Sequence, residues 1–335
     1  MNIEKRSIVI LFVFFLSCGK NIKTVTKVEN MYSKIKKELA PDKRTELFDI
    51  QFHLSNGAII LKGETTSKKA LSRLQDSLKY SQVNFKSEVR ILPDSSLENR
   101  QFAIAKNSVI NIRSNPKHSA ELGTQGLLGM ALRVLDKKGD FYRIQTPDNY
   151  ISWVDKGGIQ RMNKRDFDLW NASKKVLFTN NAGQVFASKN KNSTIISDIT
   201  LGGVLKYVSE DASFYKVTYP DNRTGFIKKN EAIIYDSWLK NLKSTPENIE
   251  VIAKKMNGFP YLWGGTSTKG MDCSGFTKMV YLMNGYIIPR DASQQINAGK
   301  TIDYHLNFDE LKKAEYEKCK ELLLKLPGIG DKVAD

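Results

Sequence analysis

The sequence predicts a multidomain α+β protein with a duplicated all-β unit at its centre. Three observations carry this reading. The chain has 335 residues, enough for two or more domains. It repeats itself: Phe141-Tyr142-Arg143-Ile144, Pro147-Asp148-Asn149 and Trp153-Val154 are answered at a constant offset by Phe214-Tyr215-Lys216-Val217, Pro220-Asp221-Asn222 and Phe226-Ile227. Ungapped self-similarity over this length marks a duplicated structural unit. On either side of the repeat, strand-like alternation is mixed with helical spacing. A hydrophobic content of 41% and an aromatic content of 10% supply cores and exclude a disordered chain.

Residues 1–18 decide the compartment. Lys5 and Arg6 precede an apolar run from Ile8 to Leu16, then Ser17-Cys18-Gly19. The run is too short to span a bilayer as an ordinary helix, and it reads as a secretory signal. A cysteine directly after Leu16-Ser17 resembles a bacterial lipoprotein cleavage site. That resemblance implies removal of residues 1–17 and lipidation of Cys18, which would tie the chain to the membrane in the cell envelope.

Residues 19–99 form a small α+β domain. A polar tether over 20–40 runs into a helix, and Phe48 to Phe52 alternates as a strand. Ala58 to Leu61 is an apolar run closed by Gly63, and Ala70, Leu71, Leu74 and Leu78 fall at helical spacing. Val89, Ile91 and Leu92 give a further strand, ended by Pro93-Asp94. The run from Ile59 to Leu78 resembles the bacterial BON-type domains.

The repeats occupy residues 100–162 and 163–240. Leu128-Gly129 and Leu132 in the first answer to Leu201-Gly202 and Leu205 in the second. Short strands separated by Gly, Asn and Asp turns predict two small β-barrels. Asn111-Ile112-Arg113, the Leu-Gly pair and Trp153 resemble a bacterial SH3-like domain. Tyr142, Trp153 and Phe226 read as core aromatics.

Residues 241–313 carry the chemistry. Ser244-Thr245-Pro246-Glu247 starts a helix expected from Pro246 to Met256. Then come Tyr261-Leu262-Trp263-Gly264-Gly265, a loop through Met271, and Asp272-Cys273-Ser274-Gly275-Phe276. Helical spacing continues through Phe276, Val280 and Met283, ahead of Pro289-Arg290-Asp291 and Ser293-Gln294-Gln295. The arrangement places Cys273 at a helix N-terminus, where the dipole and free N–H groups favour a thiolate. The three cysteines Cys18, Cys273 and Cys319 make neither a disulfide framework nor paired zinc ligands. No metal or cofactor is implied.

These ordered motifs resemble the NlpC-type cell-wall cysteine peptidases. With the lipoprotein signal and the paired SH3-like domains, the order resembles the γ-D-glutamyl-L-diamino-acid endopeptidases. The resemblance implies a papain-like α+β domain acting on peptidoglycan stem peptides. It implies Cys273 as nucleophile, Asp272 and Ser274 as substrate contacts, and Tyr261 and Trp263 as cleft walls. Tyr150 matches a tyrosine with which the first SH3-like domain recognises the free amine of the substrate. Glu121 lies two positions from where the acidic partner is expected. The implied reaction is acyl transfer through a thioester. The family's base is a histidine on a strand after a Gly-Asp-Leu turn. Here Asp309-Glu310-Leu311-Lys312-Lys313 runs instead into Ala314-Glu315-Tyr316-Glu317. His305, the sole histidine after Cys273, precedes that region and does not match the catalytic position. The expectation is a peptidase domain truncated before its histidine and inactive as written.

Residues 314–335 read differently. Tyr316, Cys319, Leu322, Leu323 and Leu326 share a helical face. Leu326-Pro327-Gly328-Ile329-Gly330 with Lys332 resembles the helix-hairpin-helix of the endonuclease III and oxoguanine DNA glycosylase superfamily. That resemblance implies that Gly328 and Gly330 offer N–H groups to a DNA phosphate, and that Lys332 matches the Schiff-base lysine. The helical domain of a base pocket has no counterpart here, so the tail reads as a fragment joined near 312–314. A formal charge of +16 favours anionic partners: nucleic acid, acidic lipid or an acidic wall polymer. Three functions stay open: the peptidase, a non-enzymatic wall-binding SH3-like lipoprotein, and a DNA-binding or glycosylase-lyase fragment. A secreted lipoprotein meets no chromosomal DNA, which sets the third behind the others.

Overall fold

The computed structural model describes residues 24–299. Cys18, His305, Cys319, Gly328, Gly330, Lys332 and the 312–314 junction lie outside the described residues. The chain divides into two compact units, and the division runs through the first repeat. The first unit holds the chain to Ile104, with Ser114–Ala120 and Ala131–Asn171; the second holds Ala105–Arg113, Glu121–Met130 and the chain from Ala172.

The first unit begins with a helix, α1, over 24–39. Strands β1 (Phe48–Ser55) and β2 (Ala58–Thr65) pair antiparallel; helix α2 (Lys68–Tyr80) then crosses over to β3 (Phe85–Ile91), parallel to β2. Ser67 caps α2 by accepting the Ala70 N–H. The helix turns Ala70, Leu71, Leu74 and Leu78 inward against Val28 and Ile35 of α1 and Phe48, Ile50, Ile59 and Leu61 of the sheet. Helices and sheet make a small α+β layer here, and α1 is part of its core.

The β-rich part of this unit follows. Strand β4 (Phe102–Ala105) is succeeded in the chain by β5 (Val109–Arg113) and β6 (Leu122–Leu127), which belong to the second unit. Strands β7 (Ala131–Lys138), β8 (Phe141–Gln145), β9 (Ile151–Asp155) and β10 (Ile159–Met162) return to the first, in the order β10-β4-β7-β8-β9. Helix α3 (Lys164–Ala172) ends it. Arg90 of β3 donates to Asp136 at 2.6 Å, and Arg143 of β8 pairs with Glu64 of β2. Leu92, Leu135 and Ile151 bury together beside them.

The second unit contains the β5–β6 hairpin and the second repeat from Ala172 onward. Its strands are β11 (Lys175–Phe178), β12 (Ala182–Phe186), β13 (Ile195–Thr200), β14 (Val204–Glu210), β15 (Phe214–Thr218), β16 (Thr224–Lys228) and β17 (Ala232–Ile234). They order as β13-β12-β16-β15-β14-β11-β17. The expected barrel is therefore an open sheet: β17 gives way to helix α4 (Tyr235–Asn241) after three residues, before the chain reaches β13. Helix α5 (Pro246–Lys254) is capped by Thr245 and stops two residues short of the expected Met256. The short strands β18 (Thr266–Ser267) and β19 (Gly270–Met271), helix α6 (Cys273–Leu282) and helix α7 (Ala292–Gln295) complete it.

Backbone detail bears out the duplication. Gly129 and Gly202 both have φ +82°, and Asn149 and Asn222 have φ 67° and 68°. The bulge between Val134 and Asp136 is matched by one between Tyr207 and Ser209. Each pair is separated along the chain as Phe141 is from Phe214.

Helix α6 is anchored in this second unit. Met279, Val280 and Met283 pack with Leu127, Leu177, Leu201, Met256 and Met271. The turn after β6 is set by Gly129, where an added Cβ would stand 2.1 Å from the Val204 carbonyl oxygen. Gly129→Ala should combine left-handed strain with that clash and cost at least about 1–3 kcal/mol. Gly139→Ala, at φ +56° with open space around it, should cost only the strain, about 1–2 kcal/mol. Urea unfolding of the two variants checks the order; equal midpoints would contradict it.

Candidate active site

The site is built on the turn into α6. Asp272 is the N-cap: its Oδ1 accepts the Gly275 N–H at 2.7 Å. That bond satisfies one of the free donors at the helix start and leaves Cys273 as the first helical residue. Cys273 is exposed and unpaired, on a segment whose neighbours Asp272 and Ser274 are buried.

The Asp272 carboxylate is fully engaged. Its Oδ2 accepts the Gly264 N–H at 2.9 Å and Arg290 Nη2 at 2.6 Å, and its Oδ1 also accepts from Arg290 Nη1 at 3.1 Å. Arg290 Nη1 further donates to Ser274 Oγ at 2.7 Å. The Arg290 side chain is 1% exposed and that of Asp272 7%, so both charges depend on each other. Burial alone would push the Asp272 pKa up, but the Arg290 hydrogen bonds, the Gly275 and Gly264 N–H groups and the Arg290 charge outweigh it. The carboxyl is held below its ordinary value of 3.8.

Two glycines let the backbone close around this carboxylate. Gly264 has φ +79°, and a Cβ there would meet the Leu122 carbonyl oxygen at 2.1 Å. A Cβ on Gly275 would meet the Gly265 carbonyl oxygen at 2.0 Å. From the far side, Gln295 of α7 donates to the Ser274 and Pro289 carbonyl oxygens, both at 2.9 Å. The Pro289-Arg290-Asp291 segment and α7 thus lock the Cys273 turn.

The walls come from the loop before β18. Tyr261 and Trp263 are 59% and 64% exposed, so these large rings are open to a ligand. Partial desolvation first, then the charges of Cys273 and Asp272, raise the Tyr261 pKa above its ordinary 10.0. Trp263 Nε1 donates to Glu121 at 2.8 Å. Glu121 precedes β6, so the first repeat's hairpin supplies an acid at the wall of the site. The same hairpin holds the loop through Gln125. The Gln125 N–H donates to Thr266 Oγ1, while its Oε1 accepts from the Thr266 N–H and from Ser267 Oγ, at 2.9–3.0 Å.

The hydrogen bonds join Asp272, Ser274, Gly264 and Arg290 around the turn that carries Cys273, and Tyr261 and Trp263 precede Gly264 on the same loop. Tyr150 belongs to the first unit, in the β8–β9 turn, where its N–H donates to Thr146 Oγ1 at 3.1 Å. The histidines among the described residues, His53 and His118, also belong to the first unit. Among the described residues, no cluster of His, Cys, Asp or Glu is placed to hold a metal. Sequence reasoning quoted Arg290 and Gln295 within motifs but gave them no role. It also missed Gln125, whose contact reaches across 141 positions.

Comparison with known proteins agrees with this geometry. Residues 258–315 match the NlpC/P60 family, and residues 112–159 match the bacterial dipeptidyl-peptidase SH3 domain. Each match covers only part of the chain. A γ-D-glutamyl-L-lysine dipeptidyl-peptidase of Bacillus cereus is 32% identical over 193 residues, 55% of this chain and 56% of that protein. A protein of the same name from Bacillus subtilis is 27% identical over 187 residues, 53% of this chain and 59% of that protein. The chain thus spans less than three fifths of these relatives. The crystal structure of an NlpC/P60 family protein from Bacillus cereus superposes with a TM-score of 0.53 at 25% identity, over 62% of this chain and 80% of that one.

Arg290→Met should leave Asp272 buried and unpaired, destabilising the turn by about 3–5 kcal/mol. Faster hydrogen exchange at the Gly264 and Gly275 amides reads this; unchanged protection would contradict it. Because the Asp272 pKa is depressed, its contribution is fully present above its unfolded value near 4. It is lost as pH falls through the folded value, below 3.8. Protection of these two amides should hold from pH 5 to 8 and fall only under more acid conditions.

Proposed function

We propose that this chain engages peptidoglycan stem peptides through Cys273, as the nucleophile half of a cysteine peptidase site. The observation that carries the reading is the exposed cysteine at the first position of α6, held by a buried, fully compensated carboxylate. The cysteine sulfur as thiolate adds to an amide carbonyl, and the carbonyl oxygen takes up the negative charge. Collapse of that adduct forms a thioester only if the departing amine receives a proton. Water then splits the thioester, returning the thiol and a carboxylic acid. Tyr261 and Trp263 form the walls, and Asp272 and Ser274 shape the floor. Tyr150 is assigned to recognition of the substrate's free amine, on the resemblance alone. The relatives' names support a γ-D-glutamyl amide as the bond addressed.

The proton transfers need a base that returns its proton to the leaving amine. Among the described residues the second unit contains no histidine. Binding at the Cys273 site, without steady turnover, is the expected behaviour. The γ-D-glutamyl-L-lysine dipeptidyl-peptidases among the relatives, with the resemblance to cell-wall cysteine peptidases, support an extracytoplasmic, envelope location. The basic and apolar start of the sequence supports anchoring by lipid on Cys18. No helix among the described residues is long and apolar enough to cross a membrane.

The test is incubation of the full chain with a γ-D-glutamyl-L-lysine stem peptide. Chromatography should show no accumulating product, while binding measured by calorimetry should fall at least about tenfold when Trp263 is replaced by Ala, the loss of roughly 1.4 kcal/mol of contact. Product that disappears with Cys273→Ala would contradict the absence of turnover. Undiminished binding by the Trp263 variant would contradict the site itself.

A further inference from the structure

The second repeat holds a cleft at the corner that His118 covers in the first. The cleft measures about 770 Å³ and is lined by the β12–β13 loop, the β14–β15 turn and the segment after β16. Register fixes the correspondence between the copies: Phe141 lies opposite Asp155 in the first, and Phe214 opposite Lys228 in the second.

In the first copy, the His118 ring stands edge-on to Phe141 at 5.0 Å and within 3.7 Å of Asp155. Phe141 is buried under it. In the second copy, Lys191 holds the position of His118 and Lys228 that of Asp155. The histidine contact is gone; Phe214 instead meets the Phe186 ring edge-on at 6.5 Å and is only half-buried. The corner that His118 covers in the first copy is open and basic in the second.

The local charges leave a surplus in the cleft. Lys189 and then the Ser213 and Phe214 N–H groups bind Asp211, holding its pKa down to about 2. Lys228 pairs with Glu231 and Lys229 with Glu210, both at 3.0 Å. Lys191 is exposed and has no hydrogen bond or ion pair among the described residues. A free ammonium group, a half-exposed phenyl face and the amides of Asn190 and Asn230 therefore surround one space.

We propose that this cleft binds an acidic saccharide, with one sugar ring against Phe214 and its carboxylate on Lys191. The aromatic supplies apolar area for the ring's C–H face, the lysine a charge-assisted partner, and the asparagines partners for hydroxyls. A single-stranded nucleic acid calls for successive aromatics along a groove, whereas this cleft offers one. The site is independent of Cys273 and would stand if the peptidase reading fell.

The experiment uses the full chain carrying Cys273→Ala, so that catalysis is removed from the readout. The probe is a fluorescent oligosaccharide of carboxylate-bearing amino sugars, followed by polarisation. Lys191→Glu should weaken binding about fivefold to tenfold, as reversal of one exposed charge contact allows. Lys191→His, which restores the first copy's residue, should weaken it as well, and so should methyl esterification of the probe. Binding unchanged in Lys191→Glu would overturn the proposal, as would equal binding of the methyl ester. Equal competition by an oligothymidylate of the same length would also overturn it, by showing that charge alone is recognised.

Discussion

The buried ion pair between Asp272 and Arg290 is the constraint on which the site depends. A carboxylate out of water is costly unless charge and hydrogen bonds compensate it. Here the compensation comes from four directions: the Gly275 N–H of α6, the Gly264 N–H of the preceding loop, the Arg290 guanidinium and the Ser274 hydroxyl. Satisfying one carboxylate thereby fixes the helix start, the glycine loop and the segment beyond the helix as a single object. Cys273 sits at the centre of that object yet is itself exposed. The rigidity of the turn and the accessibility of the sulfur have the same origin.

The β-rich repeats supply the support. The β5–β6 hairpin holds the loop before Cys273 through Gln125 and carries Glu121 to Trp263. The second repeat contributes Leu177 and Leu201 to the apolar seat of α6, and Lys269 reaches Asp198 of β13 at 2.5 Å. Within the second unit, then, the duplicated element is both scaffold and part of the site's wall. The two copies have diverged in what they present at the corner beside Phe141 and Phe214: one fills it with His118, the other leaves it open and basic.

Much of this was legible in the sequence because it is written locally. The repeat is visible because turn residues with special backbone angles, such as Asn149 and Asn222, cannot drift. Cys273 at a helix start is visible because Asp and Gly at fixed spacing are what a capped turn requires. The strands and α2 follow from periodicity. Long-range polar contacts leave no such trace. Arg290 meets Asp272 across 18 positions and Gln125 meets Thr266 across 141, and neither spacing repeats anything. The open sheet in place of a barrel was equally hidden, since strand composition does not say whether the last strand returns to the first. The division of the first repeat between two compact units is a property of contacts, not of composition.

The central claim is that the Asp272 lock makes Cys273 a poised nucleophile. Its most direct test is the rate of iodoacetamide alkylation at Cys273, resolved by peptide mass spectrometry, in the folded chain, in urea and in Arg290→Met. The account predicts faster reaction at Cys273 in the folded chain than in urea at the same pH, with most of that advantage lost in Arg290→Met. A folded-state rate at or below the unfolded rate, or an advantage that survives Arg290→Met, would contradict it.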